Sequence, residues 1–311
     1  MTIGVFSSGG VIQDREAAEG AIQQLKEQGY KIRQTPSLFG SDGLFPADGE
    51  TLAGEFMELY LDSGVDALLA LKGGYGTARL LSHLDYKVIG EKPKKVCGYS
   101  DLTVLVSAFV DKSGLEALHG PMIVSMDEEM TDRSYSQLLN RLGESFGRED
   151  EDFFGGYGNH DEEGPLVLSP GKAVGLLKGG NLCVLTTLLG TDFEPDFEGA
   201  ILLLEDVNEE PYCIHRMMNH LKMCGALDRA VGFIVGRFTG CAQPEGEKRF
   251  QPSIRAVMEE YLIPTGKPVL YNVPVGHIDD NMTVIMGKPL SMDLSESGWQ
   301  LRYLSKGILL G

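Results

Sequence analysis

One serine in the chain lies where a short apolar run meets a helical pattern. The run Val96 to Tyr99 predicts a buried strand, and the apolar spacing that starts at Leu102 predicts a helix. Ser100 would therefore lie on a sharp turn beside helix-start N–H groups, which can stabilise an oxyanion, so it is a candidate nucleophile. The pattern is not G-x-S-x-G, because Leu102 stands in place of the second glycine. The alternative is that Ser100 only caps the helix.

A glycine-rich turn follows a second predicted strand. The run 66–71 is apolar without alternation, and the segment Gly73-Gly74-Tyr75-Gly76 comes directly after it. Such a turn lets the backbone approach a ligand and aim N–H groups at an anion or oxyanion, although it can equally be structural. The spacing is not that of a dinucleotide-binding or phosphate-binding loop, so no nucleotide cofactor is expected.

A serine nucleophile needs a base, and the base needs an acceptor that orients it. The six histidines are His83, His119, His160, His215, His220 and His277. His119 and His277 are the better candidates, because both fall in predicted loops. Glu205 ends the apolar strand 201–205, so we expect its carboxylate to be desolvated and to orient an imidazole. The alternative is that Glu205 belongs to a solvated acidic turn.

Four potential metal ligands fall within twelve residues of one predicted helix. They are Cys213, His215, His220 and Cys224. Cys213, His220 and Cys224 share a face that is mostly core, whereas His215 points elsewhere. No zinc site is expected there, and no metal is expected elsewhere.

Composition excludes several classes of partner. The 311 residues carry a net charge of −18 without a basic cluster, so nucleic acid and anionic membrane surfaces are not expected partners. No run is long enough to span a bilayer, and the N-terminus reads as a strand rather than a signal peptide. Five irregularly spaced cysteines favour the reducing cytoplasm over a disulfide framework.

Two domains are expected from the length and from a change in composition. Strands are predicted at residues 2–7, 30–33, 66–71, 96–99, 172–177, 201–205, 230–236, 269–275 and 282–286, and helices at 14–28, 50–62, 182–189, 212–226 and 254–262. The alternation in the first half predicts an α/β domain, 1–145, with a parallel sheet, helices on both faces and working residues at the carboxyl ends of strands. The acidic, glycine-rich segment 146–168 predicts a linker, with a surface loop as the alternative. Residues 169–311 predict a second, mixed domain.

Taken together, the motifs of the chain resemble the LD-carboxypeptidase family of serine peptidases, which includes the microcin-immunity peptidases. The segments that carry this resemblance are Gly73-Gly74-Tyr75-Gly76, Gly98-Tyr99-Ser100-Asp101, His119-Gly120-Pro121, Lys178-Gly179-Gly180-Asn181, Leu204-Glu205-Asp206-Val207 and Gly276-His277. The sequence departs from the family pattern at Lys72, where arginine is common, and at His215, where many relatives carry an acid.

The resemblance implies a Ser-His-Glu triad without a cofactor. Ser100 would be the nucleophile, His277 the general base and Glu205 the orienting acid. The N–H groups of Gly74 and Asp101 would form the oxyanion hole. The implied fold is a flavodoxin-like N-terminal parallel sheet and a C-terminal swivelling β/α domain, with the site in a cleft between them, in a homodimer.

The implied reaction is hydrolysis of the L,D amide bond before the terminal D-Ala of murein tetrapeptides, through an acyl-enzyme. The first alternative is an immunity-type amidase that cleaves peptide-nucleotide or aminoacyl-sulfamoyl adenylate conjugates. The second is a small-molecule binding protein without catalysis.

Overall fold

The computed structural model describes residues 1–126, 129–144, 151–153, 164–242 and 251–305. The chain divides into two compact units. The first comprises Met1–Ser145 with Thr283–Ile285, and the second comprises Phe146–Met282 with Met286–Gly311. Most of the predicted linker 146–168 lies outside the described residues. Among the described helices, none combines the length and the apolar character that a bilayer crossing requires.

The first unit is built on a six-stranded sheet in the order β12-β5-β4-β3-β1-β2. Its elements are β1 (Thr2–Phe6), α1 (Arg15–Glu27), β2 (Lys31–Gln34), α2 (Gly49–Leu61), β3 (Ala67–Ala70), α3 (Tyr86–Glu91), β4 (Lys95–Cys97), α4 (Thr103–Ser113), β5 (Ala117–His119), α5 (Asp132–Gly143) and β12 (Val284–Met286). The pairings from β2 through β5 are all parallel. This arrangement brings the loops after β1, β3 and β4 to the same edge of the sheet.

Local sequence explains these elements. Asp14 caps the start of α1, because its carboxylate accepts a hydrogen bond from the Ala17 N–H at 2.9 Å. Every residue of β3 is buried, as its uninterrupted apolar run predicts. Phe56 on α2 packs edge-on against Phe6 and Phe109, with ring centroids 4.9 and 6.0 Å away, and this aromatic cluster fastens helices to the sheet.

The second unit is built on an eight-stranded mixed sheet in the order β6-β14-β13-β8-β9-β10-β11-β7. Its elements are β6 (Glu151–Asp152), β7 (Leu166–Ser169), β8 (Gly171–Asn181), α6 (Leu182–Thr186), β9 (Ala200–Val207), α7 (Pro211–Met223), α8 (Ala226–Arg229), β10 (Gly232–Thr239), α9 (Ile254–Leu262), β11 (Val269–Tyr271), β13 (Pro289–Ser295) and β14 (Gly298–Tyr303). Strands β8 to β11 are parallel, whereas the outer pairings are antiparallel. The predicted α/β fold class is confirmed.

Several elements differ from the sequence prediction in extent or partner. The strand predicted at 172–177 continues to Asn181, and the helix predicted at 182–189 ends at Thr186. The strand predicted at 282–286 begins at Val284 and lies beside β5 in the first sheet. This placement depends on Gly120, because a Cβ there would lie 2.6 Å from Thr283 Oγ1. The Thr283 N–H also donates to Gln137 Oε1 at 2.8 Å, a contact that sequence periodicity does not reveal.

The carboxyl end of β9 is held by a buried network around Asp206. Asn181 Nδ2 donates to Asp206 Oδ1 at 2.9 Å, and the Cys183 N–H donates to Oδ2 at 2.9 Å. The Asn181 side-chain oxygen in turn caps α6 by accepting from the Val184 N–H. Burial raises the pKa of Asp206 to about 6, although these hydrogen bonds favour its charged form, and the neighbouring Glu205 carboxylate adds to the rise.

This raised pKa predicts a specific pH dependence of stability. The folded chain binds the Asp206 proton more tightly than the unfolded chain does. The protonated carboxyl group therefore stabilises the fold at low pH, and this stabilisation is lost as pH rises through 6. A gap of about two pH units corresponds to about 3 kcal/mol in the free energy of unfolding. The measurement is urea unfolding between pH 4 and 7.5, followed by fluorescence of the single tryptophan, Trp299, which lies on β14 of the same sheet.

Relative to Asp206→Asn, the wild type should gain stability as pH falls from 7 to 4. The exposed Asp192 provides the matched control, since Asp192→Asn should follow the wild-type profile. Parallel profiles for wild type and Asp206→Asn would show that Asp206 does not titrate in this way.

Candidate active site

Ser100 has a backbone conformation that is unusual for its residue type. Its φ is +61°, in the left-handed region that non-glycine residues enter at a cost of about 1 kcal/mol or more. It begins the 3₁₀ turn Ser100–Leu102, which leads into α4. Neither helix start has a side-chain cap hydrogen bond, so capping does not account for this serine. A Cβ at Gly98 would lie 2.7 Å from Leu102 Cγ, which explains why glycine precedes the turn.

The glycine-rich turn after β3 lies directly against Ser100. A Cβ at Gly73 would stand 3.0 Å from the Ser100 Cβ and 3.2 Å from its Oγ, so only glycine leaves the hydroxyl room. Gly74 is exposed and has a φ of +106°, a conformation that glycine adopts without strain. The first unit therefore brings together Ser100 and the backbone of the predicted oxyanion loop.

The side chain of Asp101 has a structural role, because it holds the glycine-rich loop in place. Its buried Oδ2 accepts from the Thr77 N–H at 2.8 Å and from the Thr77 hydroxyl at 2.7 Å. Because the Thr77 hydroxyl donates its proton to Asp101, it can only accept from Ser8. Ser8 Oγ lies 3.0 Å from Thr77 Oγ1 and is therefore the donor of that hydrogen bond. These hydrogen bonds link the segments that follow β1, β3 and β4. No local pattern in the sequence indicates Thr77, because only the fold brings it to Asp101.

Glu205 and His277 form a hydrogen-bonded pair in the second unit. Glu205 Oε2 lies 2.8 Å from His277 Nδ1. The Glu205 side chain is completely buried, whereas that of His277 retains 18% of its exposure. A proton on Nδ1 that is donated to this carboxylate leaves Nε2 as an acceptor, which is the tautomer a general base needs. The solvated-turn alternative for Glu205 is therefore wrong.

Two glycines make room for the Glu205 carboxylate. A Cβ at Gly276 would lie 2.9 Å from Glu205 Oε2, and one at Gly236 would lie 3.1 Å from its Cβ. Gly276 has a φ of +131°, and its N–H donates to Asn281 Oδ1 at 3.0 Å. Glu205 Oε1 is buried and has no hydrogen-bond partner among the described residues. Within the part of the chain that the structure describes, the carboxylate is thus directed at the imidazole alone.

The other histidines occupy different surroundings. His119, the second loop candidate, is buried at the end of β5 with its ring 5.9 Å from that of Tyr99. His215 lies on the surface, 3.2 Å from both Glu260 Oε1 and the Tyr261 hydroxyl. His160 lies outside the described residues. Within the described ranges, no group of three or more cysteine, histidine or acidic side chains is arranged to hold a metal ion.

Comparison with protein-family models identifies both parts of the chain. The model of the LD-carboxypeptidase N-terminal domain matches residues 3–120, and that of the LD-carboxypeptidase C-terminal domain matches residues 174–292. The first match contains Ser100, and the second contains Glu205 and His277.

Curated relatives match nearly the whole chain. A probable murein peptide carboxypeptidase of Bacillus subtilis (strain 168) is 34% identical over 301 residues, which cover 95% of this chain and 89% of the relative. The microcin C7 self-immunity protein MccF of Escherichia coli is 27% identical over 339 residues, covering 98% and 94% of the two chains.

Solved structures agree in fold. The muramoyltetrapeptide carboxypeptidase from Oxalobacter formigenes has a TM-score of 0.83 at 25% identity and covers 97% of this chain and 99% of its own. MccF in complex with glutamyl sulfamoyl guanosine has a TM-score of 0.84 at 23% identity, covers 98% of this chain and 96% of its own, and supports the fold alone. With two family models matched in order and a relative of 34% identity along almost its full length, the chain belongs to the LD-carboxypeptidase family.

Proposed function

We propose that this protein is a serine-type LD-carboxypeptidase that removes the terminal D-Ala from murein tetrapeptides. The observation that carries the proposal is the buried Glu205–His277 pair at 2.8 Å, because a carboxylate directed at one imidazole nitrogen is the arrangement that makes the other nitrogen a base. The left-handed Ser100 beside Gly73 supplies the matching nucleophile in the first unit. The proposal requires both to act on one scissile bond.

The proposed reaction has two acyl-transfer steps. Ser100 Oγ bonds to the carbonyl carbon at the L-centre of the dibasic amino acid that precedes D-Ala, and His277 Nε2 accepts the hydroxyl proton. The N–H groups of Gly74 and Asp101 stabilise the resulting oxyanion. The C–N bond then breaks, and His277 returns the proton to the amine of D-Ala. Water gives a proton to the same imidazole and bonds to the acyl carbon, the bond between that carbon and Ser100 Oγ breaks, and the imidazole returns the proton to Oγ. No metal or organic cofactor takes part.

An immunity-type amidase is the second candidate, favoured by the 27% identity to MccF over 98% of this chain. It would use the same acyl-transfer chemistry on a peptide-nucleotide or aminoacyl-sulfamoyl adenylate conjugate. A two-domain division at 1–145 and 169–311, action in the cytoplasm and a homodimeric state also belong to the proposal.

Substitution of the proposed nucleophile should abolish turnover without abolishing binding. In Ser100→Ala, we expect D-Ala release from a diaminopimelate-containing tetrapeptide to fall by about 10³-fold or more, because the acyl-enzyme cannot form. D-Ala would be quantified by a coupled amino acid oxidase assay, and tetrapeptide affinity by calorimetry. Ser82→Ala, at an exposed serine of the first unit, is the matched control and should be fully active.

Equal release by wild type and Ser100→Ala would show that another residue is the nucleophile. A wild type that binds the tetrapeptide but turns over no acyl substrate would favour the non-catalytic binding protein.

Neutralising the orienting acid should impair catalysis more than folding. Glu205→Gln keeps the size of the buried side chain but presents His277 Nδ1 with an amide, which removes the preference for the productive tautomer. We expect kcat to fall by about 10³- to 10⁴-fold with little change in KM, a loss of the size seen when a triad carboxylate becomes an amide. Glu198→Gln, at an exposed glutamate of the same unit, should leave kcat unchanged. Near-normal kcat in a folded Glu205→Gln would contradict the triad.

The relative kcat/KM values for the two candidate substrates should show which of the two proposed activities this protein has. We expect kcat/KM for the tetrapeptide to exceed that for an aminoacyl-sulfamoyl adenosine, as measured by product release under matched conditions. The reverse order would assign the protein to the immunity-type amidases, with the same nucleophile.

A further inference from the structure

A lysine beside the proposed oxyanion loop has a charge that no other described residue neutralises. Lys72 follows β3 and is half-buried, and its Nζ donates to the Val11 carbonyl oxygen at 3.1 Å. An ammonium group has three N–H donors, so this contact leaves two of them available. Across the described ranges, no carboxylate oxygen lies within ion-pair distance of Lys72. Among the described residues, the polar partner of its ammonium group is therefore a neutral carbonyl.

The position of this ammonium group is defined by the two glycines of the loop. A Cβ at Gly74 would lie 3.7 Å from Lys72 Nζ, and one at Gly73 would lie 3.2 Å from Ser100 Oγ. The pair Gly73–Gly74 is thus in contact range of the nucleophile and of the cation. Gly74 is exposed, so a ligand can reach its backbone. A substrate whose carbonyl oxygen meets the Gly74 N–H comes close to Lys72.

Two other cations of the first unit are engaged elsewhere. The Arg79 guanidinium stacks over the Phe45 ring, 4.0 Å from its centroid. Lys95 Nζ is buried and donates to the Arg141 carbonyl oxygen at 2.9 Å. In a chain with a net charge of −18, an unneutralised ammonium group at this loop is a local feature rather than part of a basic surface.

A carboxypeptidase has to recognise the free carboxylate of the residue that it releases. In that residue three covalent bonds, C–N, N–Cα and Cα–C, separate the scissile carbonyl carbon from the carboxylate carbon, a span of about 4 Å at most. The cation that binds this carboxylate must therefore lie next to the groups that bind the carbonyl oxygen. Lys72 meets this condition. An ammonium–carboxylate hydrogen bond is charge-assisted and stronger than a neutral one.

We propose that Lys72 binds the C-terminal carboxylate of the leaving amino acid and so restricts the enzyme to the last residue of a peptide. The inference rests on the carboxypeptidase function proposed above. It explains why an enzyme with an exposed oxyanion loop would act as an exopeptidase. Lys72 forms or breaks no covalent bond in this role.

The test compares two substrates that differ only at the terminal carboxylate. They are a diaminopimelate-containing tetrapeptide and the same peptide with a C-terminal carboxamide. Wild type should prefer the free acid by on the order of 10- to 100-fold in kcat/KM, the size expected for a hydrogen bond to a charged group. Lys72→Met should lose this preference, mainly through a higher KM for the free acid, while its kcat/KM for the carboxamide stays close to that of wild type.

Two further variants separate charge from structure. Lys72→Arg keeps the charge and should keep the preference. Lys72→Gln is neutral, so it should lose the preference for the free acid. Because glutamine can still donate to the Val11 carbonyl, this variant replaces Lys72→Met if Lys72→Met does not fold. Lys94→Met is the matched control, because Lys94 Nζ also donates to a backbone carbonyl, that of Asp62, at 2.8 Å. Lys94 directly precedes β4 and so lies at the amino ends of the parallel strands, away from the glycine-rich loop. This variant should behave as wild type on both substrates.

The outcomes distinguish this inference from the function on which it rests. A purely structural Lys72 would lower the rates on both substrates equally and leave their ratio unchanged, which would overturn the inference alone. A wild type that cleaves both substrates equally well would overturn it too. A wild type that cleaves neither would overturn the carboxypeptidase proposal and this assignment with it.

Discussion

The part of the candidate active site that lies in the second unit depends on one buried carboxylate, that of Glu205. Removing a carboxylate from water is costly unless a partner compensates for it, and Glu205 is completely buried. Among the described residues, its compensation is one side-chain hydrogen bond to His277, in a pocket that Gly236 and Gly276 keep open. The neighbouring Asp206 is also buried, and burial, with a smaller contribution from the Glu205 charge, raises the pKa of Asp206 to about 6. A chain selected only for stability would have little reason to keep two carboxyl groups there.

In the first unit, the unfavourable feature is the backbone conformation of Ser100. Ser100 holds a left-handed conformation that a glycine would adopt freely, yet the residue has a hydroxyl group. Close packing around Gly73 and Gly98 and the Thr77–Asp101 hydrogen bonds hold the turn in place. Strain and buried charge therefore appear at the residues to which the proposed mechanism gives a role. This coincidence is a physical argument for function that does not depend on similarity to other proteins.

Much of this arrangement could be predicted from local sequence. An apolar run that ends in Ser100, and another that ends in Glu205, identify side chains at the carboxyl ends of buried strands, and parallel sheets place ligands there. His277 was distinguishable as a histidine in a turn. Contacts between distant segments were not predictable: Thr77 meets Asp101, Asn181 meets Asp206, and the strand at Val284 joins β5 in the first sheet. Periodicity reports which face of an element is buried, but it does not report the partner.

In the proposed mechanism, Ser100 is a nucleophile activated through His277 and Glu205. Activated serines attack fluorophosphonates, so reaction of the purified protein with such a probe, followed by peptide mass spectrometry, identifies the nucleophile without a natural substrate. This mechanism predicts one phosphonyl adduct, on Ser100, which forms much more slowly in Glu205→Gln and is absent in Ser100→Ala. An adduct on a different serine, or labelling of Ser100 at an unchanged rate in Glu205→Gln, would contradict it.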